Sequence, residues 1–132
     1  MKSRSSAVSF PGKAGRLIKG SRILVLGYAY LENSDDTRNS PSEVLVKRLR
    51  ELGAEPEIHD PYITDYQGDV IEKAMGCDAV VVMVAHTLYT TMTLSDIKNV
   101  VRTPLLVDGR HVFDPVRAKE QGWIYRGVGV HI

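Results

Sequence analysis

Arg38 and Arg110 are the residues of this sequence whose type and position best suit ligand binding. Arg38 lies in the polar stretch NSDDTRNS at residues 33–40, and Arg110 follows an aspartate and a glycine in VDGRHVFD at residues 107–114. A guanidinium group binds a phosphate through paired, charge-assisted hydrogen bonds, so Arg38 is a candidate phosphate-binding residue. In the alternative interpretation, Asp36 neutralises Arg38 on a solvated loop, and Arg110 forms a surface ion pair that contributes at most about 1 kcal/mol.

The other chemically reactive side chains give weaker signals. Asp35 and Asp36 are adjacent carboxylates with no identifiable third ligand, so the sequence predicts no metal site. Asp60, in EIHDPY, is interpreted as a turn residue, and His86 as an ordinary polar loop histidine. Cys77, the single cysteine, is interpreted as a small packed residue and not as a nucleophile. No catalytic residue is therefore predicted.

The composition is that of an ordinary globular chain. Its 132 residues suit one domain, with 43% hydrophobic and 25% charged residues. The formal net charge of +1 gives no general case for nucleic acid or a membrane surface as a partner, and the longest apolar runs are too short to span a bilayer. A single cysteine is typical of a reducing compartment, so a cytoplasmic location is predicted.

Residues 1–19 differ from the rest of the chain. They carry five basic residues and no acidic one, and they lack the continuous apolar stretch of a secretory signal. This segment is predicted to be a flexible or cut linker, and residues 20–132 are predicted to form the domain.

Strand and helix patterns alternate from Ser21 onward. The short, β-rich runs RILVLG, EPEIHD, DAVVVMV, PLLVDG and WIYRGVGV include nearly continuous apolar stretches, which are typical of strands covered on both faces. This alternation predicts an α/β fold with a doubly wound parallel sheet and three layers, α/β/α. The helices predicted from capping residues run from Pro41 to Gly53 with a capping box of Ser40 and Glu43, from Asp69 to Met75, from Thr93 to Val101, and from Asp114 to Gly122.

The loops that follow the strands are expected to form the ligand site, because doubly wound sheets bind ligands at the carboxyl ends of their strands. The first such loop is long, with thirteen residues from Tyr28 to Ser40, where about 2 to 6 are usual. It does not carry the dinucleotide fingerprint, because Gly27 is followed by no further glycine before the helix. The four loops concerned span residues 27–40, 60–62, 85–87 and 108–113.

Several ordered motifs resemble one known family. GYAYLENSDDTRNSPS, EIHDPY, DAVVVMVAH, VDGRHVFD and WIYRGVGV are similar, in this order, to the C-terminal domain of the UDP-glucose and GDP-mannose dehydrogenase family, from about Ser21 to Val130. The resemblance implies a Rossmann-like domain that helps to hold the UDP-sugar. It also implies a parent enzyme that oxidises the C6 hydroxyl of a nucleotide sugar to a carboxylate with NAD.

The resemblance assigns roles to particular residues. By analogy Arg38 reaches toward the NAD cofactor, and Arg110 contacts the substrate, in this family often across a subunit boundary. Tyr30 and Leu31 fall where the family usually has an aromatic residue and a lysine that line the sugar nucleotide site. Leu31 departs from that pattern, so the lysine contact does not carry over, and the departure points to a subfamily with a different sugar such as an N-acetylated hexosamine.

The resemblance also implies partners that this chain does not contain. The family needs an N-terminal NAD-binding domain, a central helical domain that forms the homo-oligomer, and a catalytic cysteine in a glycine-rich motif, which the surroundings of Cys77 do not resemble. We therefore expect that the chain alone cannot perform the oxidation, which in this family serves polysaccharide biosynthesis. The alternative is a stand-alone nucleotide-binding or protein-interaction module with the same fold.

Overall fold

A single parallel sheet organises the protein, whose computed structural model describes residues 19–34 and 40–127. Its five strands lie in the order β2-β1-β3-β4-β5, and every neighbouring pair is parallel. The predicted doubly wound α/β sheet is thereby confirmed. The strands are β1 at Arg22–Leu26, β2 at Glu55–His59, β3 at Ala79–Val82, β4 at Leu105–Asp108 and β5 at Ile124–Gly127.

The helices largely follow their predicted caps. The prediction for Thr93 to Val101 was too long, because that helix ends at Lys98 and the carbonyl of Val100 instead accepts a hydrogen bond from the amide of Gly76. No helix in the described ranges is long and apolar enough to cross a bilayer. The helices are α1 at Pro41–Glu51, α2 at Val70–Ala74, α3 at Thr87–Thr90, α4 at Leu94–Lys98 and α5 at Pro115–Glu120, with a 3₁₀ turn at Thr64–Tyr66.

The start of α1 ties that helix back to the end of β1. Ser40 caps the helix as predicted, but its hydroxyl oxygen accepts from the amide of Ser42, while the amide of Glu43 bonds to the Ser40 carbonyl. The Ser40 hydroxyl also donates to the carbonyl of Tyr28, and the Ser42 hydroxyl donates to that of Gly27, each at 2.7 Å. The long first loop therefore begins and ends at one place, where the start of α1 lies against the end of β1.

Helices pack on both faces of the sheet, because successive strand residues point to opposite sides. On one face, Leu24, Val80 and Leu106 pack in a cluster with α2, α3, α4 and α5. On the other face, Ile23 and Val81 pack in a second cluster with apolar residues of α1. The predicted three-layer α/β/α arrangement is confirmed by these two clusters.

Cys77 is a packed residue, as predicted. It is fully buried, its thiol donates to the carbonyl of Lys73 at 3.3 Å, and burial raises the pKa of the thiol from 9.0 to about 11. Because the thiolate is the reactive form, the native thiol should be close to inert at neutral pH.

This inertness gives a direct test of the packing around the only cysteine. We expect Cys77 in the native protein to react with an aromatic disulfide reagent at least about 100-fold more slowly than in urea-unfolded protein, since reaction requires local opening. The rate is read from the absorbance of the released thiolate. Equal rates in buffer and in urea would contradict the packed position.

Candidate functional site

The crevice lies at the carboxyl ends of β1 and β3. Residues following β1 lead by way of α1 to β2 on one side, whereas β3, β4 and β5 lie on the other side, so the direction of winding reverses between β1 and β3. Ligands of open parallel sheets bind at such a reversal. The loops that follow these strands are therefore the candidate site, as the sequence predicted.

Asp60 organises the first loop from the end of β2. Its carboxylate is fully buried and accepts the amides of Tyr28 at 2.7 Å, Ala29 at 2.9 Å and Tyr62 at 2.8 Å. Burial acts to raise the pKa of Asp60, but these hydrogen bonds and one from His86 outweigh it, so the pKa lies below its ordinary value of 3.8. The bond from Tyr62 confirms the predicted turn, and the bonds to the first loop are a role that the sequence interpretation missed.

His86 is buried, so its interpretation as an ordinary polar loop histidine was wrong. Its ring is fully buried, with Nε2 at 2.9 Å from Asp60 Oδ2 and Nδ1 accepting from the amide of Asn33 at 2.8 Å. The rings of Tyr62 and Tyr89 lie against it, with centroids 4.9 Å and 5.6 Å away. Burial of this kind requires that both ring nitrogens find partners, and both do.

Burial alternates beyond the end of β3 and reaches His86. Residues 79–82 are all buried within the strand, whereas further on Val84 and His86 are buried and Met83 and Ala85 are only partly buried. Alternate residues of an extended chain share a face, so His86 lies on the same side as Val84. The sequence DAVVVMVAH is apolar at nearly every position before the histidine and shows no such alternation, so it did not indicate that His86 is buried.

Asn33 joins the first loop to the loop after β3. Its side-chain oxygen accepts from the amide of Thr87 at 3.0 Å and from the hydroxyl of Tyr62 at 3.1 Å, and its side-chain nitrogen donates to the hydroxyl of Thr87 at 3.1 Å. Its φ of 54° lies in the left-handed region, which asparagine tolerates better than most residues. Three loops thus meet at one asparagine.

Asp108 accepts hydrogen bonds from backbone amides of the fourth loop, as Asp60 does from those of the first loop. Its buried carboxylate accepts the amides of Arg110 at 3.2 Å, Val112 at 3.0 Å and Phe113 at 2.8 Å, together with the hydroxyl of Tyr125 at 3.0 Å. Burial raises the pKa of the Tyr125 hydroxyl, and the neighbouring carboxylate of Asp108 raises it further. The hydroxyl therefore remains a donor. The backbone at Arg110 is consequently held by a side chain inside the domain.

The predicted binding residues that the structure describes lie on one exposed edge. Tyr30 and Leu31 are 49% and 54% exposed, and the next residue, Glu32, places a carboxylate oxygen 3.7 Å from a guanidinium nitrogen of Arg110. The structure thus brings the first and fourth loops together. Arg38 lies outside the described residues, together with Asp35 and Asp36.

The chemistry of this edge is that of binding. Asp60, His86 and Asp108 are buried and serve the protein backbone, whereas the exposed groups are an aromatic ring, an aliphatic side chain and a guanidinium. Among the described residues, no group of three histidine, cysteine or acidic side chains could hold a metal ion. The exposed aromatic, aliphatic and guanidinium groups are of types that can contact a ligand.

Comparison with known proteins gives the family of the chain. The sequence profile of the UDP-glucose/GDP-mannose dehydrogenase family, UDP binding domain, matches residues 24–115, which is more than half of the chain. The chain belongs to this family. The resemblance of the sequence motifs is thereby confirmed, as is the assignment to the family's UDP-binding domain.

Two relatives within the family illustrate the match in sequence. A UDP-N-acetyl-D-mannosamine dehydrogenase from Pyrococcus horikoshii is 32% identical over 107 residues, which cover 81% of this chain and 25% of the relative. A UDP-glucose 6-dehydrogenase from Rhizobium meliloti is 31% identical over 126 residues, which cover 88% of this chain and 29% of the relative. The UDP-binding domain therefore spans less than a third of the length of either relative.

Solved structures of family members share the fold. A UDP-D-ManNAc dehydrogenase from Pyrococcus horikoshii superposes with a TM-score of 0.79 at 32% identity, over 89% of this chain and 28% of that one. An NDP-N-acetyl-D-galactosaminuronic acid dehydrogenase from Methanosarcina mazei superposes with a TM-score of 0.80 at 32% identity, over 89% of this chain and 27% of that one. The Rossmann-like assignment agrees with both.

Proposed function

We propose that this chain is the substrate-binding C-terminal domain of an NAD-dependent nucleotide-sugar 6-dehydrogenase, in which Arg110, Tyr30 and Leu31 bind a UDP-sugar. The parent enzyme oxidises the C6 hydroxyl of the sugar to a carboxylate and supplies the catalytic residues from its other domains. The observation that carries the proposal is the position of Arg110, whose backbone is held by buried Asp108 while its guanidinium faces the loop of Tyr30 and Leu31.

The guanidinium of Arg110 is available to an anionic ligand. Its ion pair with Glu32 is long, at 3.7 Å, and both side chains are about half exposed, at 49% and 51%. Such a pair contributes about 0 to 1 kcal/mol, whereas a charge-assisted hydrogen bond contributes about 1.5 to 3 kcal/mol. A phosphate oxygen can therefore displace Glu32 with a net gain.

The first loop suits the sugar and base of the ligand. Tyr30 offers an exposed ring, and Leu31 offers an apolar surface where the family usually has a lysine. An apolar side chain is a better neighbour for an acetamido methyl group than for a hydroxyl-rich sugar. We therefore favour a UDP-N-acetylhexosamine as the substrate, the class named by the Pyrococcus horikoshii relative.

The remaining elements of the proposal concern the parent enzyme. Arg38 contacts the NAD cofactor held by an N-terminal domain, and a central helical domain joins this domain to it in a homo-oligomer. Residues 1–19 connect this domain, at 20–132, to the rest of the enzyme. The enzyme is cytoplasmic and serves polysaccharide biosynthesis. The coverage of at most 29% of each relative cited supports a larger parent protein.

Substitution of Arg110 tests the substrate role. Arg110→Ala should weaken binding of a UDP-N-acetylhexosamine about tenfold or more, because one charge-assisted bond is lost. Binding is measured by titrating the ¹⁵N-labelled chain and following backbone amide shifts. Arg102→Ala is the matched control, because Arg102 is exposed and pairs with Asp78 at 3.1 Å near the start of β3. Unchanged affinity in Arg110→Ala would overturn the assignment.

In the intact dehydrogenase, binding of NAD and of UDP distinguishes the role proposed for Arg38 from that proposed for Arg110. Arg38→Ala should raise the dissociation constant for NAD more than that for UDP, and Arg110→Ala should do the reverse. If each substitution raised the dissociation constants for NAD and UDP equally, both assignments would be wrong.

A further inference from the structure

Asp60 and His86 form a buried pair that holds the first loop at two points. His86 Nε2 lies 2.9 Å from Asp60 Oδ2, and neither side chain is exposed. The same carboxylate oxygen accepts the amides of Tyr28 and Ala29, while His86 Nδ1 lies 2.8 Å from the amide nitrogen of Asn33. The first anchor is therefore at Ala29 and the second at Asn33.

The contacts of His86 determine where its proton is. The amide of Asn33 is a donor only, so the nitrogen that faces it, Nδ1, must accept. The ionised carboxylate of Asp60 is an acceptor only, so Nε2 must donate. The ring is therefore the neutral tautomer with its proton on Nε2. A second proton, on Nδ1, would face the Asn33 amide hydrogen across 2.8 Å and break the second anchor alone.

The segment between the anchors carries the first-loop residues proposed to bind the ligand. It consists of Tyr30, Leu31 and Glu32, all of them exposed, and Glu32 pairs with Arg110. Side chains this exposed contribute little packing, so the anchors hold the backbone in place. The second anchor also supports Asn33 at a φ of 54°, a conformation that costs an L-residue free energy.

We propose that neutral His86, oriented by Asp60, is a positioning residue that holds Tyr30, Leu31 and Glu32 in the conformation that binds the sugar nucleotide. Loss of the acceptor at Nδ1 frees the amide of Asn33, loosens this segment and weakens binding. The inference rests on the proposed function, because it takes that exposed segment as part of the ligand site. It makes nucleotide-sugar affinity depend on a buried histidine that does not touch the ligand.

The groups around His86 fix the orientation of its ring. Asp60 is the charged group that faces the ring, through Nε2. The rings of Tyr62 and Tyr89 cover its faces, and His59, whose pKa is lowered by burial, lies beyond Tyr89 at the end of β2. Of the two partners of the ring nitrogens, only the Asn33 amide cannot accept a hydrogen bond.

Two substitutions separate the two bonds of His86. The side-chain oxygen of asparagine can take the place of Nδ1, so His86→Asn keeps an acceptor for the amide of Asn33 and loses the donor to Asp60. The side-chain nitrogen of glutamine can take the place of Nε2, so His86→Gln keeps the donor to Asp60 and loses the acceptor for Asn33.

The experiment combines amide hydrogen exchange with UDP-N-acetylhexosamine titration of the whole ¹⁵N-labelled chain at neutral pH. His86→Gln should lower both the protection of the Asn33 amide and the ligand affinity by about tenfold, because the acceptor for that amide is lost. His86→Asn keeps that acceptor and should keep both quantities close to their wild-type values.

The outcomes separate this proposal from the proposed function. If His86→Gln binds the ligand and protects Asn33 as the wild type does, the positioning role is overturned. If His86→Asn loses binding as fully as His86→Gln does, the acceptor for the Asn33 amide is not what binding requires, and the positioning role is overturned as well. If the glutamine variant loses Asn33 protection and the asparagine variant keeps it, but neither the variants nor the wild type bind the nucleotide sugar, the proposed function fails while the anchor itself is established.

Discussion

Asp108→Ala should lower the free energy of unfolding by about 3 to 5 kcal/mol, because buried donors left without partners cost about 1 to 3 kcal/mol each. The substitution removes the acceptor of three loop amides and of the Tyr125 hydroxyl. Some of these donors will reach water as the loop loosens, so the loss is smaller than their sum. Urea unfolding followed by far-ultraviolet circular dichroism measures it.

Two further variants make the Asp108 result specific. Asp108→Asn keeps the shape and one acceptor oxygen, so it should cost about half as much. Asp65→Ala removes an exposed aspartate of the 3₁₀ turn and should change stability by less than about 0.5 kcal/mol. A loss below about 1 kcal/mol in Asp108→Ala would mean that the carboxylate does not organise the loop. Any surviving fold should also bind nucleotide sugar more weakly, because Arg110 loses its backbone support.

Gly27→Ala should be the other strongly destabilising substitution, by about 3 kcal/mol or more. Gly27 has a φ of +98°, and a Cβ there would lie 2.6 Å from Val84 Cβ and 2.9 Å from the Val84 backbone nitrogen. Two independent costs therefore add, one from the left-handed backbone and one from the collision of the ends of β1 and β3. Urea unfolding again measures the change.

Gly20→Ala isolates the first of these two costs. Gly20 has a φ of +84°, but a Cβ there would meet nothing within 4 Å. We expect that variant to lose only about 1 to 2 kcal/mol, the cost of a left-handed L-residue. Val84→Ala should not rescue Gly27→Ala, because alanine at position 84 retains the Cβ with which the added Cβ at position 27 would collide. Equal losses at Gly20 and Gly27 would show that the two strand ends can move apart at no cost.

Local patterns predicted the sheet, because each strand and most helices carry their own signals. Short β-rich runs identified all five strands, and Ser40, Asp69 and Asp114 identified the starts of three helices, where each side chain caps as expected. Helix α3 was missed because TLYT has a weak helical propensity, and the turn forms where Tyr89 is buried in the core. Tertiary packing outweighed the propensity there.

The site was predicted only in outline, because its bonds join residues far apart in the chain. The sequence placed the correct loops at the correct edge, but the contact of Asn33 with His86 spans 53 residues. Nor did it anticipate the contact between Arg110 and Glu32. No local sequence pattern indicates which side chain makes such a long-range contact. The burial of His86 likewise had no local signal, because the run AVVVMVA before it is apolar at every position.

The closure of the first loop at its base has a consequence for how such domains diversify. The hydroxyls of Ser40 and Ser42 fasten the returning chain to the carbonyls of Tyr28 and Gly27, so the sheet does not depend on what lies between. Exchanges at the exposed positions Tyr30 and Leu31 should therefore cost the sheet little stability, and this segment is where new substrate preferences can be acquired without refolding the domain.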